Sequence, residues 1–125
     1  MRERRLYRRF PWVREVQLRG ARGKRFAARS FDLSVAGIGL EVSRDGVVGL
    51  AQSGGILCPG DHVGVVLASA VAAAQGELDL HCRVKEVRRV SLGKYVVGTW
   101  FEELDSASQA VLEELVHDAR RRRWE

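Results

Sequence analysis

The clearest regularity in the chain is an alternation of apolar and polar positions with a period of two. From Leu78 to Lys85 every second residue is apolar and its neighbours are charged or polar, which is typical of a strand with one buried face. Weaker versions of this pattern recur along the chain. Together they predict six strands, over residues 12–18, 25–31, 38–42, 63–67, 78–85 and 95–101.

A different period appears near the end of the chain. Apolar side chains recur three and four positions apart between Val111 and Ala119, which predicts an amphipathic helix. Ser106 and Gln109 match a capping box, and the arginines at 120–123 suit the negative end of a helix dipole. Six short strands followed by one helix predict a mainly β fold, a small six-stranded antiparallel β-barrel with a C-terminal α-helix.

The segments between these elements are rich in turn-forming residues. Residues 43–55 contain four glycines and are predicted to form a loop, and residues 88–94 a polar turn. The alanine-rich stretch 68–74 fits a helical turn or a strand tip, and both interpretations stay open. The longest apolar run, 63–74, is shorter than the roughly 20 residues of a membrane-spanning helix, and residues 1–11 do not resemble a secretory signal. We therefore expect a cytoplasmic protein.

The positive charge of the chain is concentrated in two places. The net charge is +5, but residues 1–10 carry +4 and residues 119–125 carry +3, so the remainder sums to −2. A protein that coats a long nucleic acid usually spreads its positive charge over one face. This distribution favours a small anionic partner instead. Cys58 and Cys82 have no metal-binding spacing and are expected to be reduced.

A tight connection between two predicted strands contains three residues with turn chemistry. Asp32, Ser34 and Gly37 form a D-x-S-x-x-G motif. Aspartate and serine side chains bind nearby backbone, and glycine allows a close approach of other atoms. Taken alone, the motif is interpreted as a structural turn.

Two arginines near the start of the sequence have a spacing that changes this interpretation. Arg5 and Arg9 form an R-x-x-x-R motif directly after Arg4, and D-x-S-x-x-G follows some twenty residues later. This order resembles the PilZ domain family, whose members are bacterial sensors of cyclic di-GMP. The resemblance extends through residues 57–65 and 95–101 and so covers nearly the whole chain.

The resemblance implies a cyclic di-GMP site built from both motifs. An arginine fork can bind guanine O6 and N7 together and attract phosphate, and a carboxylate can accept from the guanine ring N–H and amine. An arginine directly before R-x-x-x-R implies two intercalated ligand molecules. A solvated basic arm is the competing interpretation of the arginines. The implied ligand-binding residues are Arg4, Arg5, Arg9, Asp32, Ser34 and Gly37.

The sequence predicts a domain organisation, and the resemblance implies a function. Residues 1–11 are predicted to be an exposed, flexible arginine-rich arm that ends at Pro11, residues 12–119 the barrel with its helix, and residues 120–125 a basic tail. The arm would become ordered over the ligand, and the signal would pass to an unidentified protein partner in motility or biofilm control. No enzyme activity, cofactor or metal is expected. One alternative is a PilZ-like adaptor of pilus or motility machinery that binds no nucleotide. Another is a small barrel that binds single-stranded nucleic acid.

Three aromatic residues are further candidates for the site. Trp12, Phe31 and Trp100 could stack on guanine, although core packing is the stronger expectation for Phe31. Catalytic chemistry has less support, because the three histidines lack metal-ligand spacing. No nucleophile is accompanied by a recognisable base and orienting group.

Overall fold

The structure is a computed structural model, and it describes residues 8–68 and 76–122. Arg4, Arg5 and most of the alanine-rich stretch lie outside this range. The elements, in chain order, are β1 (Phe10–Pro11), β2 (Glu15–Arg19), β3 (Arg25–Leu33), β4 (Ile38–Ser43), α1 (Arg44–Gly49), β5 (His62–Ala68), β6 (Glu77–Ser91), β7 (Lys94–Phe101) and α2 (Ser106–Arg122).

Six antiparallel strands form a closed barrel. Their order is β3-β2-β5-β6-β7-β4, and β4 pairs back with β3. Closure leaves no open sheet edge among these strands. The predicted fold, a six-stranded antiparallel barrel with a C-terminal helix, is confirmed.

Aliphatic side chains fill the interior, as the alternating pattern requires. Residues of β2, β7 and the first part of β6 alternate between the buried interior and the outer surface, whereas β4 and β5 are buried over most of their length. Helix α2 buries one apolar stripe, made of Leu112, Leu115, Val116 and Ala119. The largest fully buried side chains include Leu18, Leu33, Ile38, Leu40, Leu57, Leu67, Leu80 and Leu112.

The two-residue strand β1 lies between the barrel and helix α2. Phe10 pairs with Leu33 and Pro11 with Asp32, and β1 also lies against α2. The Phe10 side chain is only 6% exposed. The expectation of an exposed segment as far as Pro11 is therefore wrong at Phe10, because this aromatic side chain is part of the core.

Ser30 fixes the chain that follows β1. Its buried hydroxyl donates to the Trp12 carbonyl at 2.7 Å and accepts from the Arg14 N–H at 3.0 Å. The Trp12 N–H donates to the Phe31 carbonyl at 3.0 Å. Trp12 is buried. The sequence pattern predicted a strand that begins at residue 12, but β2 begins only at Glu15.

Helix α1 occupies part of the segment that was predicted to be a loop. The Ser43 hydroxyl accepts from the Gly46 N–H at 3.2 Å and caps the helix. Two glycines in six residues disfavour a helix by propensity. Gly49 is required by packing, because a Cβ there would overlap the Phe26 ring. Gly46 and Gly49 therefore serve close packing, whereas Gly54 and Gly55 have positive φ and lie in the loop that the sequence predicted.

Two further boundaries differ from the sequence pattern. Strand β6 continues to Ser91, so the predicted turn shrinks to Leu92 and Gly93. The cap of α2 is Asp105 rather than Ser106, because its Oδ1 accepts from the Ser108 N–H at 2.7 Å. The helix itself extends through the first part of the predicted basic tail.

Cys58 and Cys82 are both free thiols, as expected. Over residues 8–68 and 76–122, none of the helices has the length and apolar character needed to cross a membrane.

Candidate functional site

A β-bulge in β3 places two neighbouring side chains on the outer face of the barrel. Ser30 pairs with Leu40 and Asp32 with Gly39, so Phe31 is an additional residue in the ladder. A bulge changes the direction of the side chains beside it. A Cβ built on Gly39 would lie 2.5 Å from Asp32 Oδ1 and 2.6 Å from Phe31 Cζ. Both side chains therefore lie over Gly39.

The structure brings Arg9 and Asp32 together. Arg9 Nη1 donates to Asp32 Oδ1 at 3.0 Å, and the two side chains are 30% and 23% exposed. The pairing of β1 with β3 accounts for this contact, since it places Pro11 opposite Asp32. Two predicted site residues, one from each motif, thus form one charged pair at the surface.

Ser34 has a structural role in the turn. Its side chain is fully buried, and its hydroxyl oxygen accepts from the Ala36 N–H at 3.0 Å and the Gly37 N–H at 3.1 Å. These are the local bonds by which serine stabilises a turn. A ligand would reach this hydroxyl only if the turn opened.

Gly37 is required by a close approach of β7. A Cβ on Gly37 would lie 3.0 Å from the Thr99 carbonyl carbon and closer still to its oxygen. The preceding residue holds the turn on β7, because the Phe101 N–H donates to the Ala36 carbonyl at 2.8 Å. The glycine of the motif therefore allows backbone to approach backbone.

A pair of glycines extends the site across the neighbouring strands. Gly39 in β4 is paired with Gly98 in β7. Gly39 is buried beneath the Asp32 and Phe31 side chains, and Gly98 is half-buried beside Glu86. Beyond Gly98, strand β6 has a second bulge, where Lys85 is the additional residue and Glu86 opposes Gly98. The glycine pair, Gly39 and Gly98, thus lies between two bulges that carry charged side chains.

Trp100 is next to the glycine pair on the same face. It is half-buried, and the Lys85 ammonium lies 4.5 Å from its ring centroid, a cation–π distance. Trp12, by contrast, is buried, and the Arg14 guanidinium lies over its ring at 5.3 Å. Of the three aromatic candidates, Phe31 and Trp100 border the glycine pair and Trp12 does not.

These groups suit a flat ligand with both donors and acceptors. Arg9 supplies a cationic fork, Asp32 a carboxylate and Phe31 an aromatic face, while the glycines let a ring approach the sheet. Within the described part of the chain, no group of three or more His, Cys, Asp or Glu side chains could hold a metal ion.

Solved structures share this architecture. The PilZ domain with c-di-GMP of YcgR from Escherichia coli matches 96% of this chain and 94% of its own length, with a TM-score of 0.68 and 14% identity. The chain has the PilZ fold. The PilZ domain of CeSA, from a cellulose-synthesizing bacterium, matches 90% of this chain and 98% of its own length, with a TM-score of 0.61 and 18% identity.

Longer proteins contain the same PilZ fold. The K. pneumonia MrkH–c-di-GMP complex matches 98% of this chain with a TM-score of 0.67 and 18% identity, but only 56% of MrkH is covered. This chain therefore spans about half the length of MrkH. A scan against protein-family models and a search of curated proteins gave no match.

Sequence reasoning found only part of this PilZ-fold surface. Arg9 and Asp32 were predicted and are in contact, whereas Arg4 and Arg5 lie outside the described residues. The glycine pair and the Lys85–Glu86 bulge were missed. A glycine inside a strand pattern marks a close approach or a bulge, so Gly98 offered a signal that alternation alone did not use.

Proposed function

We propose that this chain is a receptor for cyclic di-GMP, which binds on the outer face around Arg9, Asp32 and the glycine pair. The observation that carries the proposal is the Arg9–Asp32 ion pair, with Asp32 and Phe31 lying side by side over the glycine pair. It is supported by the fold, because two of the matched structures are described as c-di-GMP complexes.

The charged pair provides recognition groups that a nucleotide can take over. A half-exposed ion pair of this kind contributes only about 0.2–1 kcal/mol, so its replacement by a ligand is inexpensive. Asp32 would accept from the guanine ring N–H and its exocyclic amine. Arg9 would then donate to a phosphate or to the O6 and N7 edge of guanine.

Arg4 and Arg5 would complete the site from the segment that precedes β1. Because Phe10 and Pro11 are already paired with β3, ordering on ligand binding would be confined to the residues before them. The change in surface would then be read by a protein partner in the cytoplasm, as a non-catalytic signal in motility or biofilm control.

Ser34 and Gly37 support this site through the turn. Direct contact between these two residues and the ligand stays a prediction. Their contacts within the protein favour an indirect role, in which the turn fixes the end of β3 that carries Asp32.

Isothermal titration with cyclic di-GMP tests the proposal. Arg9→Ala should lower the affinity at least tenfold, about 1.4 kcal/mol. Arg8→Ala is the matched control, because Arg8 is exposed and its guanidinium lies 5.7 Å from the Phe10 ring centroid instead of on Asp32. Equal losses in the two variants would mean that the affinity depends on net charge alone, and no binding by wild type would favour the nucleotide-free adaptor.

A chemical variant of the ligand tests the role of Asp32. Cyclic dinucleotide with inosine in place of guanosine lacks the exocyclic amine, so wild type should bind it more weakly. Asp32→Ala should bind both ligands weakly, since the acceptor is already absent. Non-additive losses would show that the amine and Asp32 share one interaction. Additive losses would contradict this contact.

In this proposal Arg4, the residue directly before R-x-x-x-R, determines how many ligand molecules bind. Wild type should bind two molecules of cyclic di-GMP per chain and Arg4→Leu only one. A stoichiometry of one in both proteins would remove this role from Arg4.

A further inference from the structure

The hairpin between β6 and β7 ends in an exposed tip of mixed apolar and basic character. All residues from Arg88 to Lys94 are exposed. Val90 is 47% exposed, and Leu92 is 87% exposed, the highest value among the exposed large hydrophobic residues of the described chain. The segment contains three basic residues and no acidic one. We refer to residues 88–94 as the hairpin tip.

The apolar residues of the tip are not explained by the geometry of the hairpin. Leu92 and Gly93 form its two-residue turn, and only Gly93 has a positive φ, of 81°. Polar residues are the usual choice at the exposed turn position next to such a glycine. Val90 is the additional residue of a bulge, with no partner in the β7 register. Neither side chain is needed for packing or for the turn.

The tip is held in a defined position. The Arg44 N–H, at the start of α1, donates to the Gly93 carbonyl at 3.1 Å. Lys94 lies 3.8 Å from Glu41, whereas Arg88 and Arg89 have no acidic partner within the described residues. The result is a hairpin tip in a fixed position, where two guanidinium groups without an acidic partner in the described part of the chain accompany two exposed aliphatic side chains.

We propose that the hairpin tip docks on an anionic phospholipid surface, with Leu92 and Val90 entering the interfacial region and Arg88 and Arg89 on the headgroups. Basic residues are attracted to anionic lipids, and aliphatic side chains gain by leaving water. Nucleic acid would use the cations but not the aliphatic groups. This proposal is independent of nucleotide binding.

Vesicle flotation with the full chain tests the proposal. Vesicles of phosphatidylcholine with about 30% phosphatidylglycerol are compared with pure phosphatidylcholine vesicles, at low and high salt. Wild type should bind the anionic vesicles and lose binding in high salt. Arg88→Ser/Arg89→Ser should weaken binding by about tenfold or more, since each basic residue near the surface contributes roughly fivefold. Leu92→Ser, which leaves all charges in place, should weaken it about threefold or more.

Two controls separate the tip from charge in general. Arg120→Ser/Arg121→Ser removes two exposed cations from α2 and should leave binding unchanged. All variants should remain folded, with melting temperatures within about 4 °C of wild type, because the substituted side chains are exposed and exposed arginines at the end of α2 contribute only about 0.3–1 kcal/mol each. No binding of wild type to anionic vesicles would overturn the proposal. An equal loss of vesicle binding in Arg88→Ser/Arg89→Ser and Arg120→Ser/Arg121→Ser would also overturn it. The same holds if Leu92→Ser binds the anionic vesicles as strongly as wild type. Loss of duplex DNA binding in Arg88→Ser/Arg89→Ser, with vesicle binding intact, would also overturn it.

Discussion

Gly37 and Gly39 are two residues apart, yet the structure predicts opposite consequences for an alanine at each position. At Gly37 the obstructing atoms belong to the backbone of Thr99 and Trp100, which cannot move without disturbing β7. At Gly39 the nearest atoms are the ends of the Asp32 and Phe31 side chains, which can rotate. Gly37→Ala should therefore affect folding, and Gly39→Ala should affect the ligand site.

The magnitudes follow from what must move. Overpacking against backbone costs about 1–3 kcal/mol, and we expect about 2–3 kcal/mol for Gly37→Ala because the contact is among the tightest in the chain. At a domain of this size this lowers the melting temperature by about 10 °C. For Gly39→Ala, displaced side chains cost about 0.5–1.5 kcal/mol. Alanine also lowers the conformational entropy of the unfolded chain, which stabilises the folded protein by about 0.4–1 kcal/mol. The net change in the free energy of unfolding therefore stays within about 1 kcal/mol.

Thermal unfolding and cyclic di-GMP titration of both variants check these values. Gly39→Ala should melt within about 4 °C of wild type and bind at least tenfold more weakly, about 1.4 kcal/mol, because its methyl group displaces the Asp32 and Phe31 side chains that lie over it. A Gly37→Ala protein with wild-type stability would refute the close approach of β7. A Gly39→Ala protein with wild-type affinity would refute the position of the site.

Three further outcomes are expected. Thr99→Val should lower the free energy of unfolding by about 1–2 kcal/mol, measured by urea titration, because the buried Thr99 hydroxyl donates to the Ile38 carbonyl at 2.9 Å; an unchanged midpoint would contradict this. Burial raises the pKa of the Cys82 thiol to about 12, so iodoacetamide at pH 8 should modify Cys82 only after unfolding, as read by mass spectrometry, and rapid labelling of Cys82 in the native protein would be evidence against its burial. The hydrogen bond from the Ser108 N–H lowers the pKa of Asp105 below its usual 3.8. The stabilisation that the Asp105 carboxylate provides is therefore complete above the usual pKa and is lost as the pH falls through the lowered pKa. Asp105→Asn should therefore lose less stability than wild type on acidification from about pH 5 to about pH 3, and parallel curves would show that the cap does not titrate.

The sequence pattern predicted the barrel because alternation is a direct consequence of strand geometry. It failed where a bulge changes the parity of a strand. Ser30 and Leu33 are both buried although they are three positions apart, because Phe31 is an additional residue in the ladder. Strict alternation would have placed Asp32 inside the barrel. The motif identified Asp32 and Arg9, whereas Gly98 and Glu86 became neighbours only through the pairing of β6 with β7.

Packing also hid other features from the sequence. Gly46 and Gly49 suggest a loop, because nothing in the sequence shows that Val42 and Phe26 occupy the space beside them. Ser106 matches a capping pattern, but Asp105 is one residue earlier and its carboxylate accepts from the Ser108 N–H. The sequence therefore predicted correctly that a side chain caps the helix, but it assigned the cap to Ser106 instead of Asp105.

The position of β1 has a consequence for regulation. Arg9 is one residue from Phe10, which is buried where β1 lies against α2. If a nucleotide draws Arg9 away from Asp32, the shift passes directly into the packing of the helix. Such coupling is reciprocal. A protein that binds α2 and moves β1 must therefore change nucleotide affinity by the same factor by which the nucleotide changes the affinity of that protein.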